Sequence, residues 1–175
     1  CEIKDRHKFF EELESLIKKN ADKTTILAMH HPMFTYGPHG GQFSFKRHMN
    51  PSGGSIPLPA IGTFVNVLRR TSGATIEDQS NKKYNELKKR LVTLAQYSEK
   101  VIFVSGHEHT LQYIIEDNIP QIVSGAGAKK GATRLLNGSK FSTGQMGYAA
   151  LDVFKDGSSK VDFYGVENGE NLLYS

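Results

Sequence analysis

Gly106-His107-Glu108-His109 directly follows the apolar run Val101-Ile102-Phe103-Val104-Ser105. A short β-branched and aromatic run ending in Ser-Gly reads as a buried strand feeding a tight turn. On an extended backbone, His107 and His109 project to the same side, with Glu108 turned away from it. Imidazole is largely neutral near pH 7 and binds zinc, iron and similar ions. Far upstream, the strand-like run Thr24 to Met29 ends in His30-His31-Pro32. The same device therefore occurs twice: a buried strand that delivers histidine to its C-terminal end, where an α/β sheet opens.

These residues resemble the calcineurin-like metallophosphoesterases, a superfamily that includes the purple acid phosphatases. The stretch TTILAMHHPMF is similar to that family's fourth sequence block, a strand ending in His-x-Pro. VIFVSGHEHTLQY is similar to the fifth, the Gly-His-x-His block. Order and separation also match, and the resemblance covers roughly residues 24 to 125. It implies an α/β fold, part of a four-layer αββα sandwich with a β-rich C-terminal end. Three earlier blocks of the family are not found in these 175 residues: Asp-x-His or Asp-x-Gly, Gly-Asp-x-x-Asp or Gly-Asp-x-x-Tyr, and Gly-Asn-His-Glu or Gly-Asn-His-Asp. Residues 1–175 are accordingly expected to be the C-terminal portion of a phosphoesterase domain, completed by a missing N-terminal half.

The resemblance also implies roles. The family uses two metal ions that share a hydroxide, and the all-nitrogen donors here suit Zn, Fe or Mn. His30 and His107 align with ligands to one ion, and His109 with a ligand to the other. His31 occupies a variable neighbouring position and is expected to orient a ligand rather than to bind. His39, nine residues after His30 in Gly-Pro-His-Gly-Gly, matches a histidine that contacts the phosphoryl group or assists the leaving group. His7 and His48 read as surface residues.

The elements that must position these groups alternate. Phe9, Phe10, Leu13, Leu16 and Ile17 recur at helical spacing, so the pattern predicts a helix over 5–19 and a strand over 24–29. An insert at about 33–80 begins with a Gly/Pro-rich loop over 33–57, the kind of long connection that carries function. A short helix is expected near 58–70, with Ile61, Phe64, Val65 and Leu68 on one face. Ile61, Phe64 and Leu68 are expected to pack the insert onto the domain rather than to line a substrate pocket with Phe43, Phe45, Lys46 and Arg47. Thr75 and Asp78 are candidate caps for the clearest helix, 81–97. Strands follow at 100–105, 111–116, 120–124, 147–154 and 160–166, with turns at Asp117-Asn118 and Asp156-Gly157-Ser158. Ser124 to Gly131 lacks the Gly-x-x-x-x-Gly-Lys-Ser/Thr spacing of a phosphate loop and reads as a close-packed turn.

The 38% hydrophobic and 10% aromatic content suits one globular domain. A net charge of +4 spread over helix faces argues against a nucleic-acid partner. Cys1 is the only cysteine, which excludes an internal disulfide. No apolar run approaches the ~18 residues of a membrane span. The loop chemistry resembles that of exported bacterial phosphatases. The expected function is hydrolysis of a small phosphate ester by a metallophosphoesterase to which this chain contributes half the metal site. The alternative is an inactive metal-binding module, dimerising through its exposed sheet.

Overall fold

Residues 5–51 and 56–175 are described by the computed structural model; Cys1, Gly53 and Gly54 lie outside them. Helix α1 (Arg6–Lys19) starts at Asp5, whose carboxylate accepts the His7 N–H, and ends with Lys18 and Lys19 facing its negative pole. It buries Phe10 and Ile17 but leaves Phe9 and Leu16 exposed, a narrower stripe than expected. Strand β1 (Thr25–Met29) leads into the insert. There a 3-10 turn (Pro38–Gly40), helix α2 (Phe45–Met49) and helix α3 (Pro59–Ser72) precede helix α4 (Lys82–Ala95). The α4 cap is Asn81, whose side chain accepts the Lys83 and Tyr84 N–H groups. Neither Thr75 nor Asp78 caps it. Asp78 is spent inside the insert, as described below.

The strands form two sheets. The first holds β1, β2 (Val101–Ser105), β3 (Leu111–Glu116), β4 (Ile119–Ser124) and β5 (Ser139–Thr143) in the order β1-β2-β4-β3-β5. The second holds β6 (Gly147–Val153), β7 (Ser159–Gly165) and β8 (Asn171–Tyr174) as an antiparallel meander. β1 runs parallel to β2 in register, Thr25 opposite Val101 and Met29 opposite Ser105. Their C-terminal ends therefore lie side by side, and His30 emerges beside Gly106-His107. Asp117 and Asn118 both take positive φ, 53° and 63°. That is the turn geometry that closes a two-residue hairpin between β3 and β4.

β2 shows why its sequence is apolar throughout: it is covered on both faces. Val101 and Phe103 join Phe10, Ile17, Leu91, Leu94 and Ala95 in a core against α1 and α4. Ile102 joins Leu111, Ile122, Ala126 and Phe163 in a second core between the sheets. The described residues thus stack as helices, mixed sheet and antiparallel sheet.

Candidate metal centre

The first link in the site is turn geometry. His107 has φ 61°, and the Glu108 N–H donates to Gly106 O across it at 2.7 Å. A non-glycine residue in the left-handed region costs about 1–3 kcal/mol and persists only where its surroundings fix it. The extended backbone assumed from the His-x-His spacing is therefore not what forms. The tight turn swings the His107 ring toward the end of β1, buries Glu108 and leaves His109 exposed.

His107 Nδ1 lies 3.1 Å from His30 Nε2. The His31 ring sits 4.0 Å from that of His107, and the His39 ring 4.4 Å. Two overlapping donor sets result, His30 with His31 and His107, and His39 with Glu77 and His107. In each, one ligand atom per residue lies within 4.8 Å of the others. His107 turns its second nitrogen, Nε2, toward Glu77 Oε2 at 3.7 Å. That atom is buried and has no hydrogen-bond partner. Two nitrogens on one tetrahedral ion with bonds of about 2.0–2.1 Å stand about 3.3 Å apart, so the His30–His107 spacing fits a shared ion. Burial, followed by the charge of His31, lowers the His107 pKa to about 4. Burial, followed by His30, also lowers that of His31. Both shifts favour the neutral ring, the form that offers a lone pair to a metal.

The expected ligands are thus placed unevenly. His30 and His107 come together, and His31 joins them within ligand reach instead of standing behind. His109 lies outside both donor sets. Glu77 is an acidic donor that the histidine motifs do not signal.

His39 is held from two sides. Its backbone N–H donates to Glu108 Oε1 at 2.8 Å, and its Nδ1 lies 2.9 Å from Asp78 Oδ1. Arg69 clamps the same carboxylate as a fork, Nε to Oδ2 and Nη2 to Oδ1, both 2.7 Å. Burial alone would raise the Asp78 pKa. The Arg69 fork and His39 outweigh it and hold the group below its ordinary value. Glu108 behaves oppositely: burial dominates and raises its pKa, despite the donors from His39 and Thr35. It is a positioning group for the loop, a role its outward place in an extended strand would have denied it.

Buried amides complete the anchoring. Gln121 Oε1 accepts the Met33 N–H at 3.0 Å, and Gln112 Oε1 accepts the Tyr36 N–H at 2.9 Å. The Tyr84 hydroxyl of α4 donates to Pro32 O. Glycines in this loop serve close approach: a Cβ on Gly37 would meet the Glu108 carboxylate at 2.6 Å, and one on Gly40 would meet Thr35 O at 2.0 Å. Gly125 and Gly131 likewise press against the Glu108 and His109 carbonyls, in keeping with a close-packed turn after β4.

No protein-family model and no curated protein matches the chain. Among solved structures it is similar to GAP50, the anchor in the inner membrane complex of Plasmodium, with TM-score 0.61 and 15% identity. The match covers 96% of this chain and 41% of that one. At that identity the likeness speaks for the fold alone: a mixed α/β chain with two sheets, spanning less than half of the similar structure.

Proposed function

We propose that this chain is the histidine-bearing part of a metallophosphoesterase of the calcineurin-like class, with a four-layer αββα sandwich as the complete fold. One observation carries the reading. Two parallel strands in register deliver His30 and His107 to a 3.1 Å nitrogen–nitrogen contact, with His31 in ligand reach of both and Glu77 in reach of His107. In this proposal His30 and His107 hold one ion and His109 a second. The chemistry such a pair supplies when bound is activation of water and neutralisation of charge on a phosphoryl group. His39 does the chain's own part. Asp78 fixes its Nδ1–H, so Nε2 is free to carry a proton to a leaving-group oxygen. His31 and Glu77 flank the His107 ring and keep the approach to it polar.

The test is calorimetric titration of the chelator-treated chain with Zn²⁺ or Mn²⁺. Affinity is expected to fall about tenfold or more in His30→Ala and His107→Ala, and to hold in His7→Ala. Equal affinity in all three variants refutes the site. The isolated chain is expected to hydrolyse phosphate esters barely, since the aspartate and asparagine ligands of the resemblance are not among its residues.

A second reading keeps the fold and drops catalysis, leaving a binding or assembly module. It draws on the similar structure, GAP50, being described as an anchor. Tight metal binding with no hydrolysis by the longest form of the protein favours it.

A further inference from the structure

Helix α3 is built inside out. Its buried residues are Gly62 and Asn66, and Arg69 turns inward to Asp78. Asn66 is 2% exposed, whereas Phe64 is 67% exposed. Ile61, Val65, Val67 and Leu68 are also open to solvent, and Ile61, Phe64, Val65 and Leu68 recur at the three- and four-residue spacing of one helical face. The expectation that Ile61, Phe64 and Leu68 pack the insert onto the domain is overturned. The packing face is the polar one, because Gly62 brings the helix onto the end of α2, where a Cβ would stand 2.0 Å from His48 O. Phe45 on α2 and Ile56 ahead of α3 add to the exposed apolar surface.

The stretch of sequence that carries this surface has charge of one sign. No Asp or Glu occurs between Asp22 and Glu77. Within that span Lys46 and Arg47 on α2 are exposed, while Arg70 turns to the Gly41 side of α3 and Arg69 is neutralised internally by Asp78. Contiguous exposed apolar surface marks an interaction site. Two copies meeting here would bring like charges together, and a neutral apolar partner would leave the cations without a counterpart. An anionic lipid surface satisfies both features. It takes the apolar stripe between acyl chains and pairs the Lys and Arg groups with headgroups. At 14 residues α3 is about 21 Å long, and among the described residues no helix is long and apolar enough to cross a membrane. The helix would therefore lie in the plane of the surface.

We infer that the exposed apolar face of α3, with the adjoining residues of α2, is a membrane-interfacial element that docks on anionic lipid. Such docking does not depend on the phosphoesterase reading. The test is sedimentation of the chain with vesicles of phosphatidylcholine alone or mixed with phosphatidylglycerol. The chain is expected to partition onto the mixed vesicles only, and raised salt should release it. The pair Phe64→Ser with Leu68→Ser, and separately Lys46→Glu with Arg47→Glu, should each weaken partition about tenfold or more. The charge pair serves as an independent variant should the apolar pair fail to fold, which its circular dichroism melt reports. Equal sedimentation with both vesicle types, or none with either, overturns the inference. So does a concentration-dependent dimer in analytical ultracentrifugation that the apolar pair abolishes, since that face would then be a contact between copies.

Discussion

Helices α3 and α4 are both 14 residues long and both hold the loop that carries His31 and His39, yet they do so by opposite means. α4 buries Tyr84, Leu91, Val92, Leu94 and Ala95 and reaches the loop through the Tyr84 hydroxyl on Pro32 O. α3 buries Gly62 and Asn66 and reaches the loop through Arg69, Asp78 and His39. One is fixed by apolar burial and touches the site with its polar tip. The other is fixed by close backbone approach and a charged tether, and leaves its apolar stripe outside. The pair teaches that helical periodicity names a face without naming its direction, which only the neighbours decide.

The largest effect should come from the conventional helix. Leu91→Ala is expected to cost about 3 kcal/mol, read as a loss of about 10 °C in Tm. Cutting the tether of the other helix costs less. Asp78→Ala strands a partly buried guanidinium and releases His39, for about 2 kcal/mol. In imidazole NMR, the His39 ring should then lose its fixed tautomer, and a spectrum unchanged from wild type would sink the tether. A milder probe acts on the loop that both helices support. The His107 pKa lies below its ordinary 6.5, near 4, so the folded state binds fewer protons there than the unfolded one. Its contribution is intact above pH 6.5 and is lost as pH falls toward 4. In chelator-treated chain, Tm should drop about 3 °C more between about pH 7 and about pH 5.5 in wild type than in His107→Asn. The smallest effect belongs to the inverted face: Phe64→Ser should change stability by no more than about 0.5 kcal/mol. A loss like that of Leu91→Ala would mean that Phe64 is buried after all.

Much of the fold is legible in the sequence because it is local. β-branched runs mark β1 and β2, and the Asp117-Asn118 pair marks its hairpin. The apolar spacing of 81–97 marks α4. β5 and β8 escape the pattern because Ser139–Thr143 and Asn171–Tyr174 are short and largely polar or mixed, and take strand form by pairing with β3 and β7. His30 and His107 follow from their strands, since strand ends fix position without a side-chain contact. Asp78 reads as a cap, a local role, because its partners lie 9 and 39 residues away. The His-x-His spacing by itself suggests an extended backbone and does not signal the positive φ of His107. Glu77 has no periodicity to betray it. Its one signal is that, with Asp78, it is the first carboxylate after the long acid-free stretch.

The glycine-rich loop between His31 and Gly41 has a thermodynamic consequence. Its glycines permit contact with Thr35 and Glu108, and Gln121, Gln112, Glu108 and Tyr84 already fix its backbone. Ordering a rotamer-rich side chain on binding costs about 0.5–1.5 kcal/mol, and here that cost is met when the chain folds. A ligand arriving at His39 should therefore bind with little change in conformational entropy, as a key meets a lock already cut.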